Sequence, residues 1–191
     1  IDVIEAGFAV SSPGDFNAVN QIASSIKMCK VASLARVIDK DIDAAARALE
    51  KASSPRIHTF VSSSAIHMEH QMRKDPEEII EMATKAVERA KKYVDDVEFS
   101  PMDATRTDFD FLVTLLEATI ESGATTINIP DTVGYAVARE FGTSINMLMS
   151  KIKNIDNVVV SVHCHNDLGL AVANSLAGVQ AGARQIECTI N

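Results

Sequence analysis

The hydrophobic and polar positions divide the chain into two alternating kinds of segment. Short apolar runs rich in β-branched residues are typical of strands that are buried on both faces. Seven such runs occur, at residues 2–7, 31–37, 56–63, 96–101, 125–130, 158–165 and 185–191. Between them, apolar residues recur every three or four positions, which predicts six amphipathic helices.

Capping signals support several of these helices. Ser12 followed by Pro13 is typical of a helix start, and so is Asp75 followed by proline. Asp167 is predicted to cap the last helix, which should end at Gly182.

Strands that alternate with helices predict an α/β fold with a parallel sheet and right-handed crossovers. Two architectures fit, a (β/α)₈ TIM barrel with part of its ends missing or an open doubly wound sheet. Polar residues follow nearly every strand, and this favours the barrel, in which all strand exits converge on one ring of loops. The chain starts at Ile1 in strand-like sequence, so we interpret it as a piece of a longer protein.

The composition of the chain indicates its domain size and excludes some classes of partner. With 191 residues, of which 47% are hydrophobic, the chain fits one domain with a sizeable core. A net charge of −8 argues against nucleic-acid or anionic-membrane partners, and no apolar run approaches a membrane span. The odd set Cys29, Cys164 and Cys188 lacks CxxC spacing, which favours reduced, buried thiols and a cytoplasmic location.

The candidate chemistry concentrates in the segment VSVHCHNDLG at residues 160–169. Side chains alternate along a strand, so His163 and His165 should point to the same side and could bind one ion. Imidazole suits Zn, Mn, Fe or Co, and added oxygen ligands would favour Mn or Mg. The alternative is a pair of histidines that are merely hydrogen-bonded at a strand end.

Seven segments, in chain order, resemble the 2-isopropylmalate synthases of the DRE-TIM metallolyase family. They are IEAGF, SSPGDF, HTFVSSSAIHM, VEFSPMDATRTD, INIPDTVGY, VSVHCHNDLG and ECTIN. The resemblance covers essentially all 191 residues. It implies that residues 1–191 are a partial catalytic TIM barrel carrying the second to eighth strands, without the first strand and last helix.

The resemblance implies an acyltransferase that condenses acetyl-CoA with 2-oxoisovalerate to give 2-isopropylmalate and CoA, the first committed step of leucine biosynthesis. It implies a divalent metal cofactor (Mn, Mg or Zn) bound by His163 and His165. The family's aspartate and asparagine ligands lie outside this sequence, since Asn191 only begins the asparagine-bearing segment. A homodimeric full-length parent is also expected.

The resemblance also suggests roles for the strand exits, each with a simpler alternative. Thr132 matches a threonine that binds the carboxylate of the 2-oxo acid, although Asp131 and Thr132 could merely cap a helix. Ser100 matches a pocket residue, although a serine at the end of a strand often serves merely to form a turn. Glu5 matches an acid near the metal, where burial without a partner would be costly. His58 is expected to face the substrate pocket, or else to be a core residue whose ring nitrogens are hydrogen-bonded inside the protein.

One position departs from the family. Met102 stands where a glutamate is usual, which leaves homocitrate and citramalate synthase as alternatives. The catalytic base is not identifiable from this sequence. Amidohydrolases also use an HxH, but after their first strand. An inert structural fragment is a further alternative, and we expect the isolated 191 residues to associate through unpaired edges, bind metal weakly and lack activity.

Overall fold

The strands form one parallel sheet in a computed structural model that describes residues 1–190. The strand order follows the chain from β1 to β7. The strands are β1 (Val3–Glu5), β2 (Lys30–Arg36), β3 (Pro55–Ser62), β4 (Asp96–Met102), β5 (Thr126–Asp131), β6 (Val159–Cys164) and β7 (Gln185–Glu187).

Helices connect successive strands. They are α1 (Pro13–Ser25), α2 (Asp39–Ala48), α3 (Ala65–His67), α4 (Pro76–Lys91), α5 (Phe109–Glu121), α6 (Ala138–Lys151) and α7 (Ala171–Gln180). A five-residue π-helix, Met68–Met72, follows α3, and short 3₁₀ turns occur at Ala104–Arg106 and Ile155–Asn157. No helix within residues 1–190 is long and apolar enough to cross a membrane.

The two capping signals with proline are confirmed. The Ser12 side chain accepts a hydrogen bond from the backbone of Asp15 at the start of α1. Asp75 and Glu78 form a complete capping box at the start of α4. The cap assigned to Asp167 is wrong, because α7 begins later and the Asn166 side chain accepts the Ala171 N–H instead.

The curled, partial barrel is confirmed. A doubly wound sheet reverses its strand order at a switch point, whereas this order is strictly sequential. Side chains also meet across the interior from strands that are not neighbours: Arg56 on β3 donates to Gln185 on β7 at 2.9 Å. An open, flat sheet would hold these two strands far apart.

The apolar core lies between the outer face of the sheet and the helices. Ile57, Phe99, Ile127 and Val162 point outward from successive strands and are fully or almost fully buried. The inner face of the sheet is mostly polar, so the barrel interior is the part of the fold that can carry chemistry.

The predicted ends of β6 and β7 lie too far along the chain. β6 ends at Cys164, so His165 follows the strand, and β7 ends at Glu187, well before residue 190. The predicted final residue of β7, Asn191, lies outside the described residues. The three cysteines are free, as predicted, but none is fully buried: Cys29 and Cys164 are partly exposed and Cys188 is exposed.

Candidate active site and metal centre

Polar side chains fill the barrel interior in two layers, because every second residue on β3 to β7 points inward. The lower layer contains Arg56, Glu98, Thr126, Ser161 and Gln185. The upper layer, nearer the carboxyl ends of the strands, contains His58, Ser100, Asn128, His163 and Glu187.

The lower layer is a closed ionic network. Arg56 donates to Glu98 at 2.8 Å and also pairs with Asp96, while Gln185 donates to the second oxygen of Glu98 at 2.8 Å. Burial raises the pKa of Glu98 to about 7, and the neighbouring His58 and Arg56 oppose this rise. Its polar groups are engaged with one another, so we interpret this layer as structural.

The upper layer is a continuous chain of hydrogen bonds. The two ring nitrogens of His58 contact Glu5 at 2.6 Å and Ser100 at 2.7 Å. Asn128 donates from its amide nitrogen to Ser100 at 2.9 Å and to Glu187 at 3.2 Å. A polar path therefore runs from Glu5 on β1 to Glu187 on β7.

His58 carries a positive charge in this environment. Burial alone would lower its pKa, but the hydrogen bond to Glu5 and the nearby charges of Glu98 and Glu187 outweigh burial. Together they raise the pKa of His58 to about 9. A protonated His58 donates to both Glu5 and Ser100, which fixes its ring.

His163 and His165 lie side by side, as strand alternation predicts. Their ring centroids are 4.9 Å apart. The Nδ1–H of His163 donates to Glu187 at 2.8 Å, and that of His165 donates to the Thr132 carbonyl oxygen at 2.6 Å. These bonds fix the tautomers and leave the Nε2 lone pair of each ring available.

This donor set fits a divalent metal. Metal-bound histidines typically donate their other ring N–H to a carboxylate or a backbone carbonyl, and here Glu187 and Thr132 provide these two acceptors. A cavity of about 760 Å³ borders both rings and extends along α7. The pair can therefore hold an ion at the edge of an open cavity.

A second group of possible ligands lies deeper in the barrel. Ligand atoms of His58, Glu98 and Glu187 lie within 4.8 Å of one another. In this group, His58 is hydrogen-bonded through both nitrogens and Glu98 pairs with Arg56. The Nε2 lone pairs of His163 and His165 are not engaged in hydrogen bonds or ion pairs of this kind within residues 1–190. Those two histidines are therefore the better metal ligands.

Of the other site residues predicted from the sequence, some are in contact with one another and some are not. Ser100 and His58 are in direct contact, whereas Thr132 lies on the rim, where its hydroxyl oxygen accepts the Asp103 N–H at 2.9 Å. The expectation that Glu5 is buried is wrong, since its side chain is 42% exposed. Its carboxylate contacts His58 rather than either of the paired histidines in the described residues.

The sequence reasoning missed Asn128 and Glu187. Both lie within strands, at positions that precede the exit loops. The signal was available: Asn128 interrupts the run TTINIP, and Glu187 follows Gln185 by two residues, so polar residues repeat with the period of a strand.

The HMGL-like family matches residues 1–191, the whole chain. The chain belongs to the HMGL-like family. It is 59% identical to the 2-isopropylmalate synthase of Methylococcus capsulatus and 58% identical to that of Pyrococcus furiosus, each over 191 residues. The match includes 100% of this chain but only 37% and 38% of those relatives. The chain thus spans little more than a third of their length.

Solved structures support the fold. The chain superposes on the HMG-CoA lyase of Bacillus subtilis with a TM-score of 0.73 and 19% identity, covering 97% of this chain and 63% of the lyase. For hydroxymethylglutaryl-CoA lyase from Pseudomonas aeruginosa the TM-score is 0.75 at 18% identity, covering 100% and 64%. At these identities the similarity shows the TIM-barrel fold alone.

Proposed function

We propose that the full-length protein carrying this chain condenses acetyl-CoA with 2-oxoisovalerate, and that water then cleaves the thioester to release 2-isopropylmalate and CoA. The supporting observation is the histidine pair with free Nε2 atoms, in a chain 56–59% identical to relatives named 2-isopropylmalate synthase. We also propose leucine biosynthesis as its pathway, the cytoplasm as its location and a homodimer as its assembly.

His163 and His165 are the proposed holders of a divalent cation, Mn, Mg or Zn. When bound, such a cation supplies Lewis acidity that polarises the ketone of the 2-oxo acid. Glu187 keeps the His163 ring oriented, because its carboxylate accepts the ring N–H at 2.8 Å.

Thr132 is the proposed binding group for the carboxylate of the 2-oxo acid. Its oxygen already accepts the Asp103 N–H, so the hydroxyl hydrogen is free to donate to an anion at the rim. The same residue holds His165 through its carbonyl, and substrate binding is therefore directly linked to the position of that ring.

His58 and Ser100 form the proposed polar wall of the substrate pocket. The proposed catalytic role of Glu5 is to keep His58 protonated, since its carboxylate accepts the Nδ1–H at 2.6 Å. The Ser100 hydroxyl oxygen accepts from His58 and Asn128, so its hydrogen can donate to a substrate oxygen. Such a hydrogen bond also stabilises negative charge that develops during condensation.

The release of free CoA thiol tests this function in the full-length protein. We expect release to require both 2-oxoisovalerate and a divalent metal, and to stop with a chelator. Faster release with 2-oxoglutarate or pyruvate would instead indicate a homocitrate or citramalate synthase, the alternatives that Met102 leaves open. No release with any of the three would contradict the proposal.

A further inference from the structure

His67 and Asp103 form a histidine–carboxylate pair on the rim of the barrel. His67 ends α3, in the connection between β3 and α4, and Asp103 directly follows β4. The His67 Nδ1 lies 3.4 Å from an Asp103 carboxylate oxygen. This nitrogen is buried and has no hydrogen-bond partner within residues 1–190.

Asp103 is held as a charged group although it is completely buried. Arg106 donates to it from two nitrogens, at 2.8 and 2.7 Å. Burial would raise the pKa of Asp103, but the contact with Arg106 outweighs burial and the pKa is lowered. The carboxylate that faces His67 is therefore a permanent anion at neutral pH.

The backbone of Asp103 is strained. Its φ of 70° lies in the left-handed region, which a non-glycine residue rarely occupies. This conformation directs the Asp103 N–H to the Thr132 hydroxyl oxygen, while the side chain faces His67. Such strain is concentrated at functional sites, and a π-helix, also typical of them, follows His67 directly.

The orientation of the ring leaves its reactive nitrogen accessible. The His67 side chain is 28% exposed although Nδ1 is buried, so the exposed edge is the one that carries Nε2. An adjacent carboxylate favours the tautomer with the proton on Nδ1, which leaves a lone pair on Nε2. A histidine supported in this way is suited to general-base catalysis.

The pair adjoins the proposed active site. Asp103 contacts Thr132 through its backbone, and Thr132 contacts His165 through its carbonyl. His67 is thus separated from the proposed metal ligand by two residues in direct contact. All four residues lie in connections that follow the carboxyl ends of strands, on the side where TIM barrels carry their catalytic groups.

We propose that His67, oriented by Asp103, is the general base that removes the α-proton from the acetyl thioester. This inference rests on the proposed function and supplies the base that the sequence left unidentified. The Nε2 lone pair takes a proton from the methyl group, and the C–H electron pair becomes the enolate. The enolate carbon then forms a bond to the ketone carbon, whose C=O π-electrons move to oxygen. Solvent protonates the resulting alkoxide, and His67 returns its proton to solvent. Water then cleaves the thioester, which releases the carboxylic acid and the CoA thiol.

The 3.4 Å contact fits this role in the absence of substrate. Catalytic hydrogen bonds are commonly long before substrate binds and tighten in the complex. Protonation of Nε2 would place a positive charge against the anionic Asp103, so the pair is stabilised as the reaction proceeds.

The test compares His67→Ala with His70→Gln in the full-length protein. His70 lies three residues away in the same connection, and its side chain is 69% exposed, which makes it a matched control. We expect His67→Ala to lower kcat about 10²- to 10⁴-fold with little change in the KM for the 2-oxo acid. Added imidazole should restore part of the kcat, whereas His70→Gln should match the wild type with and without imidazole.

Asp103→Asn provides a second variant that keeps the shape of the side chain. It should lower kcat while His67 is present and have little further effect in the His67→Ala background. A His67→Ala variant with kcat within about threefold of wild type would overturn the proposal. So would a folded variant whose loss lies in KM alone or is not restored at all by imidazole.

Deuterium uptake from D₂O into the methyl group of acetyl-CoA separates this inference from the proposed function. Uptake that His67→Ala abolishes, in a protein that does not condense 2-oxoisovalerate, would support the base and contradict the substrate. Condensation with unchanged uptake in His67→Ala would support the function and overturn the base. If the wild type neither condenses nor exchanges, both are wrong.

Discussion

The Nδ1–H of His163 donates to the carboxylate of Glu187 across 2.8 Å, between residues that are register partners on β6 and β7. The hydrogen bond to His163 and the nearby charge of His58 outweigh burial and lower the pKa of Glu187. Glu187 therefore stays anionic and fixes the orientation of the ring. A carboxylate in this position typically increases the metal affinity of the histidine that it supports.

Glu187→Gln should lower the affinity for Mn or Zn about 10- to 100-fold in the full-length protein, because the amide orients the ring without a negative charge. Calorimetric titration measures this directly and needs no turnover. Glu88→Gln, on the exposed face of α4, is the control and should bind metal like the wild type. Equal affinities of the two variants would show that Glu187 does not support a metal ligand.

The stability of the protein should depend on pH through His58. Its folded pKa of about 9 is raised above the ordinary value of 6.5, so its stabilising effect is complete below pH 6.5. That effect is lost as the pH rises through 9, and it amounts to at most about 3 kcal/mol. Unfolding by urea at pH 7.5 and 9.5 should show, in the wild type, the part of this loss that falls between the two pH values.

His58→Gln should reduce the difference between the two pH values, since it removes the titrating group. The window is chosen above pH 7, because Glu98, whose pKa is about 7, contributes mainly at lower pH. His70→Gln should retain the wild-type difference. A His58→Gln protein with the same pH dependence as the wild type would show that His58 is not protonated in the folded state.

The proposed role of Thr132 in substrate binding can be tested with variants that remove its hydroxyl oxygen or keep it. Thr132→Val removes the acceptor of the Asp103 N–H and the proposed donor to the substrate carboxylate. We expect the KM for the 2-oxo acid to rise about 10- to 100-fold, the range for a hydrogen bond to a charged group. Thr132→Ser should stay close to the wild type, and a similar KM for both variants would contradict a carboxylate contact.

Met102 provides a test of substrate choice. It is the last residue of β4 and is partly buried. If this position contacts the substrate or a water, Met102→Glu should raise turnover or sharpen the preference among 2-oxoisovalerate, 2-oxoglutarate and pyruvate. Comparison of kcat/KM for the three acids measures this, and an unchanged profile would show that the position is not in contact with substrate.

The order of the strands and most helices could be predicted from local signals. β-branched runs marked the strands, and the capping residues Ser12 and Asp75 fixed two helix starts, because these effects act within four residues. The connection that holds His67 lacked such signals. It has no helical apolar period, so α3 and the π-helix were missed, and with them the contact to Asp103.

The interior network could not be predicted, because it depends on closure of the sheet. Arg56 and Gln185 are 129 positions apart in the chain and meet only when β3 and β7 face each other. The same holds for Asn128 and Glu187. The sequence indicates that such side chains point inward, but their partners depend on barrel curvature. Glu5 lies on β1, an edge strand of the sheet, so its exposure likewise depends on which strands lie beside it.

Gly134 joins the two loops that hold His165. Its φ is +63°, and its carbonyl oxygen accepts the Leu168 N–H at 3.2 Å. A Cβ atom at this position would lie 2.1 Å from a carboxylate oxygen of Asp167 and 2.9 Å from the Asp167 backbone nitrogen. The side-chain oxygen could move, but the backbone nitrogen could not move without shifting the loop that begins at His165.

Gly134→Ala should therefore lower metal affinity as well as stability, the latter by at least about 1 kcal/mol for the left-handed conformation alone. Gly14→Ala is the control: it lies in the first turn of α1, and its added Cβ would make only an ordinary 3.5 Å contact with Ser12. Metal titration and urea unfolding of both variants test this. A Gly134→Ala protein that is destabilised but binds metal normally would show that His165 is positioned independently of this loop contact.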